Sequence, residues 1–110
     1  MAEYIPNRGD FVWLNFLPQV GHEQKGKRPA IVISPKEYNK KTRLALCAPI
    51  TSNKKGYPFE VQFNSKKVKG VILADQLKSL DWRARKVKFI EKVKPKAIRE
   101  CLDKISTLIK

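Results

Sequence analysis

The sequence predicts a mainly β fold, an antiparallel sheet or small barrel finished by one C-terminal helix. Three observations carry this reading. Short apolar runs rich in β-branched and aromatic residues recur between turn-forming residues. No alternation of strand and helix patterns points to a parallel sheet. Only the last segment has a clear helical period. At 110 residues the chain is expected to form one domain over 1–110, with room for a single hydrophobic core.

In chain order, Gly9-Asp10 punctuates the start of a strand over Phe11-Val12-Trp13-Leu14-Asn15-Phe16. Pro18 and Gly21 open a polar loop that closes at Arg28-Pro29, and Ala30-Ile31-Val32-Ile33 then reads as a buried strand ended by Ser34-Pro35. Leu44 to Ala48 reads the same way and stops at Pro49. Phe59-Glu60-Val61-Gln62-Phe63 alternates like a strand with one wet face, whereas Val71-Ile72-Leu73-Ala74 reads as buried. A further strand is expected over Val87 to Val93. Between the last two, Asp75 to Arg85 has apolar residues Leu77, Leu80 and Trp82 that fit no single period, and a short helical turn is compatible with it. Pro95 suits the first turn of a helix whose buried face would carry Ile98, Cys101, Leu102, Ile105, Leu108 and Ile109.

Lys and Arg number 24 against 10 Asp and Glu, a net charge of +14, so polyanions are the expected partners. Charge alone leaves open whether the lysines bind such a partner or only keep the chain soluble. Leu44 to Ala48, the longest apolar run, is far too short to span a bilayer, and residues 1–10 hold no apolar signal core, so no membrane and a cytoplasmic location are expected. Cys47 and Cys101 lie in apolar settings that suit small core residues better than a disulfide or metal ligands.

A single histidine, His22, excludes an acid–base pair of histidines within one chain. No metal-ligand spacing and no P-loop occur, so neither metal nor cofactor is expected. Two places can hold a phosphate. In the loop Gly21-His22-Glu23-Gln24-Lys25-Gly26-Lys27-Arg28-Pro29, the Arg28 guanidinium is a permanently charged fork able to take two phosphate oxygens. The residues equally allow an Arg28–Glu23 ion pair in a solvated hairpin. Thr51 ends an apolar run before the polar stretch Ser52-Asn53-Lys54-Lys55-Gly56-Tyr57-Pro58, where its hydroxyl can donate to a phosphoryl oxygen or make only a local turn bond.

Arg8-Gly9-Asp10, the Gly21 to Pro29 loop, Ala48-Pro49-Ile50-Thr51 and Gly70-Val71-Ile72-Leu73-Ala74-Asp75-Gln76 follow one another in an order that resembles the MazF/PemK family along nearly the whole chain. Lys55-Gly56-Tyr57-Pro58-Phe59-Glu60-Val61 and Trp82-Arg83-Ala84-Arg85 look especially like its MazF branch. The resemblance implies an SH3-like antiparallel β-barrel with a C-terminal helix, forming a homodimer whose groove binds single-stranded RNA. It implies a toxin that cleaves mRNA without metal, by 2′-hydroxyl attack, and an acidic MazE-like antitoxin that occupies the groove. Arg28 would stabilise the transition state and serve as candidate proton donor, with Thr51 orienting the phosphate and Glu23 acting as base or positioning Arg28.

Base selection needs flat side chains and hydrogen-bonding edges, for which Asn15, Phe16, Gln24 and Gln76 are candidates, with Lys27, Lys78 and Arg83 beside them. Trp13, Tyr57 and Trp82 are further possibilities weighed against ordinary core roles. His22 and the added Lys25 and Lys27 depart from the common pattern and bear on which sequence is recognised. Two rival functions are a CcdB-like poison of DNA gyrase on the same fold, against which the C-terminus lacks the characteristic tryptophan, and a non-catalytic RNA-binding module.

Overall fold

The computed structural model describes residues 3–15 and 27–109. They form β1 (Asp10–Asn15), β2 (Lys27–Val32), α1 (Lys36–Thr42), β3 (Leu44–Thr51), β4 (Glu60–Val61), β5 (Val71–Leu73), β6 (Lys78–Asp81), β7 (Lys88–Lys92) and α2 (Pro95–Ile109). The strands pair antiparallel in the order β4-β5-β3-β2-β1-β7, with β6 also paired to β3. The expected class, a mainly antiparallel β fold with a C-terminal helix, is what the chain adopts. Among the described residues no ladder joins β4 to β7, so the sheet is open along that seam rather than closed into a barrel. Ala97, Cys101 and Ile105 of α2 pack into one cluster with Val61 of β4 and Phe11 of β1, so helix packing spans between these parts of the sheet.

Both faces of the central strands are buried, which is why their sequences are nearly continuous apolar runs. Phe11, Ile31, Ala48 and Ile50 point to the face covered by α2. Val12, Leu14, Ala30, Val32, Ala45 and Cys47 point to the other, where Leu80 and Trp82 cover them. The period of two is kept along each strand, so a one-residue slip would exchange the two cores. Each fully buried Phe, Ile, Leu or Val contributes roughly 1.5–3 kcal/mol of burial free energy, and these strands carry most of them.

β3 does not stop at Pro49 but runs to Thr51, with Pro49 paired to Ala30. The Ile33 N–H donates to the Leu46 carbonyl at 2.8 Å, which sets the alternation so that Pro49's backbone groups point away from β2. On that side β6 pairing ends at Cys47 and β5 pairing begins at Ile50. The missing N–H therefore costs no ladder bond. The unassigned stretch after Asp75 contains β6 and then a helical-type turn in which the Arg85 N–H donates to the Asp81 carbonyl at 3.0 Å. The terminal helix begins at Pro95 as expected, but Leu108 and Ile109 are exposed, so its apolar period outlasts the core by a turn. Cys47 and Cys101 are free and buried.

Candidate active site

Arg28 sits near the outer end of β2, where burial fades along Lys27-Arg28-Pro29, and Thr51 is the last residue of β3. The β2–β3 ladder runs from Val32↔Cys47 to Ala30↔Pro49, so Arg28 and Thr51 both lie just beyond its last pair, at the same end of the two strands. Each lies two residues from a member of that last pair, so the alternation along a strand places both on the sheet face of Ala30 and Pro49. Arg28 is exposed, and its Nη1 donates to the Lys27 carbonyl at 3.1 Å.

Thr51 is half-buried, and its Oγ1 accepts the Asn53 N–H at 3.1 Å. The local turn bond foreseen as an alternative is thus present, yet it does not compete with a role toward phosphate. The hydroxyl uses a lone pair on the backbone and keeps its own proton for another acceptor. The turn orients that donor.

Beside Thr51 lies a cavity of about 370 Å³ lined by Thr51, Asn53, Lys55, Tyr57, Glu60, Leu73 and Gln76. Its rim is built by carboxylates. Glu60 accepts the Lys55 N–H at 2.9 Å and the Gly56 N–H at 3.1 Å, folding the loop after Thr51 back toward β4. The Tyr57 hydroxyl donates to Asp75 Oδ2, and this bond is the main cause that raises the phenol above its usual pKa. Asp75 Oδ1 is buried and has no hydrogen-bond partner among the described residues.

Residues 7–109 match the family of PemK-like, MazF-like toxins of type II toxin–antitoxin systems. The chain is 46% identical to the endoribonuclease toxin MazF of Escherichia coli (strain K12) over 109 residues, covering 99% of this chain and 98% of that one. It is 33% identical to the endoribonuclease PemK of Escherichia coli over 93% of this chain and 80% of the relative. The fold superposes on MazF in a MazE–MazF crystal structure from Deinococcus radiodurans with a TM-score of 0.86, at 41% identity and 97% coverage of both chains. The chain belongs to the PemK/MazF toxin family.

The members of the site expected from the sequence are only partly brought together. Thr51 and Gln76 line one cavity, and Arg28 lies at the same end of β2 and β3 without lining it. Asn15 pairs with Lys27 one ladder step from Arg28; its side chain is buried, and Oδ1 has no partner among the described residues. The Asn15 main chain is held by Arg85, which accepts its N–H at 2.9 Å and donates from Nη1 to its carbonyl at 3.0 Å. Lys78 is exposed opposite Cys47, away from the Thr51 end of β3. Arg83 lies in a separate cleft with Glu3, Tyr4, Trp82, Lys86 and Val87, donating to the Glu3 carboxylate at 2.7 and 2.5 Å. Phe16, His22, Glu23 and Gln24 lie outside the described residues, as does any Arg28–Glu23 pair.

Of the three large aromatics weighed between site and core, Trp82 is core, with Nε1 donating to the Asn39 carbonyl at 3.0 Å, and Trp13 is half-buried. Tyr57 is 45% exposed and lines the cavity. Asn53, Lys55, Glu60 and Leu73 were not singled out by sequence reasoning. The signal for three of these was their place in the family-like runs, since polar loop residues have no period to read. Among the described residues no group of His, Cys, Asp and Glu is arranged to hold a metal ion, and no helix is long and apolar enough to cross a membrane.

Proposed function

We propose that this chain is the toxin of a type II toxin–antitoxin pair, a cytoplasmic endoribonuclease that cuts single-stranded mRNA at short sequences without a metal ion. The observation that carries the reading is the 46% identity to an endoribonuclease toxin over nearly the whole chain, supported by the placement of Arg28 and Thr51 at the same end of β2 and β3. The 2′-oxygen attacks the adjacent phosphorus and the bond to the 5′-oxygen breaks, leaving a 2′,3′-cyclic phosphate and a 5′-hydroxyl. Glu23 accepts the 2′-hydroxyl proton or positions Arg28. Arg28 neutralises charge on the phosphoryl oxygens and stands as proton donor to the leaving oxygen, while Thr51 donates to a non-bridging oxygen. Positioned charge is what phosphoryl transfer chiefly needs, and both residues supply it without covalent participation.

RNA lies in the groove of a homodimer, with Asn15, Phe16, Gln24 and Gln76 reading base edges or stacking. Lys27, Lys78 and Arg83 contact the backbone, Arg83 by exchanging Glu3 for a phosphate. An acidic segment of a MazE-like antitoxin competes for the same basic groove. Treating a mixed RNA pool with purified protein in EDTA and sequencing the new 5′-hydroxyl ends tests the reading. Discrete cut sites followed by cyclic-phosphate ends are expected. Retention of intact RNA would replace it with a non-catalytic RNA-binding module, and inert RNA together with blocked gyrase would replace it with a gyrase poison.

A further inference from the structure

Thr51 is backed by a glycine that no other residue can replace without moving it. Gly70 immediately precedes β5, whose first residue, Val71, is paired with Thr51. Its φ of +123° is a conformation that L side chains rarely adopt. A Cβ built there would lie 2.2 Å from the Thr51 carbonyl oxygen, 2.8 Å from its carbonyl carbon and 3.2 Å from the Ser52 nitrogen. All three are backbone atoms, so no rotamer change relieves the collision.

The other two described glycines with positive φ differ. Gly56 has nothing within 4 Å of such a Cβ, and Gly9 meets only side-chain atoms of Val93 and Lys92 at 3.7 and 3.8 Å. Those two need a conformation, whereas Gly70 needs the conformation and the empty space together. That space decides where Thr51 sits, because its carbonyl rests against Gly70 while its hydroxyl is tied to the Asn53 N–H in the turn that follows. An alanine would push the Thr51 main chain by about 1 Å to reach ordinary contact distance and would carry the hydroxyl with it, and misplacement of about that size typically costs about 100-fold in rate.

We infer that Gly70 is a positioning residue for the Thr51 hydroxyl, its missing side chain setting the donor against the phosphate held by Arg28. The inference rests on the role proposed for Thr51. It is tested on the purified full chain by single-turnover cleavage of an RNA that the parent cuts, alongside RNA affinity and thermal unfolding. Gly70→Ala is expected to stay folded, bind RNA within about threefold of the parent and cleave about 100-fold more slowly. In a Thr51→Ala background the same change is expected to add less than about threefold, because the group it displaces is already gone. Gly9→Ala, which shares the backbone strain without the collision, is expected to melt earlier and cleave as the parent does.

Parental cleavage by Gly70→Ala overturns the inference, as does full additivity with Thr51→Ala. So does a Gly70→Ala chain that fails to fold, or equal slowing by Gly9→Ala, since either makes Gly70 a stability residue only. If Thr51→Ala itself cleaves like the parent, the Thr51 assignment fails first and the inference falls with it.

Discussion

The two ends of β1 treat buried polar groups in opposite ways. At its start Asp10 is 3% exposed and fully used: its carboxylate accepts the Tyr4 hydroxyl at 2.5 Å, the Asn7 N–H at 3.0 Å and Lys92 Nζ at 2.6 Å. At its end Asn15 is 8% exposed, yet Oδ1 has no partner among the described residues, and Asp75 beside the Thr51 cavity leaves one carboxylate oxygen in the same condition. An unpaired buried acceptor is costly, and native structures keep few of them. The polar groups of Asp10 are spent on the fold, whereas Asn15 and Asp75 each keep one buried acceptor without a partner among the described residues.

The strongest way to break this comparison is to remove one group from each end and ask which property falls. Arg28→Ala is expected to slow cleavage by about 100- to 1000-fold, the usual loss for a transition-state donor, with unfolding free energy within about 0.5 kcal/mol of the parent because the side chain is exposed. Single-turnover cleavage and urea unfolding on the same preparation check both halves. Asp10→Ala is expected to do the reverse. It strands the Tyr4 hydroxyl and the Asn7 N–H together and costs about 3 kcal/mol of stability, while the fraction that stays folded cleaves at the parental rate. A folded Asp10→Ala protein unable to cleave would end the division of labour between the two ends.

Much of this architecture was legible from pattern, and its gaps have physical causes. The terminal helix could be read because Ile98, Cys101, Leu102 and Ile105 repeat at the period its buried face imposes. α1 could not, because the residue it buries is the polar Asn39, held by Ser34 Oγ at 2.5 Å and by the Pro6 and Ser34 carbonyls at 2.8 and 3.0 Å. β6 buries only Leu80 and shows no alternation. Local chemistry at Arg28 and Thr51 supported two readings each. Their placement at the same end of β2 and β3 follows from the register between those strands, which no local pattern reports. Family resemblance pointed to the pair, and Gly70 became informative only once the Thr51 backbone was seen against it.

Titration sharpens the comparison further. Tyr4 at the Asp10 end is raised chiefly by burial, whereas exposed Tyr57 at the cavity is raised chiefly by its bond to Asp75. Burial also pushes the Cys47 and Cys101 thiols from about 9 up to about 12. Each group holds its proton more tightly folded than unfolded, so the unfolded chain releases protons first as pH rises. The stability the two thiols contribute is complete below about pH 9 and is lost progressively toward pH 12, about 1 kcal/mol per thiol between pH 9 and 10. Urea midpoints across that range are expected to fall for the parent and to fall less for the Cys47→Ala, Cys101→Ala double mutant. Equal slopes would mean that the thiols do not report the buried core.

The smallest effect is expected at Arg83, which belongs to neither end. Its guanidinium is engaged with Glu3 in a cleft that shares no residue with the Thr51 cavity, and that bond is the main cause lowering the Glu3 pKa. Moving Arg83 from a carboxylate to a phosphate would exchange one anion for another, so the net gain would be small. Arg83→Ala is therefore expected to weaken RNA binding only about threefold while lowering the slope of log affinity against log salt by about 0.7, the value for one lost phosphate contact on a single strand. Glu3→Gln should act in the opposite direction, because it removes the competitor and leaves the cation. Titrating a fluorescent single-stranded RNA at several salt concentrations measures both, and an unchanged salt slope in Arg83→Ala would remove Arg83 from the RNA path and leave its ion pair as part of the fold.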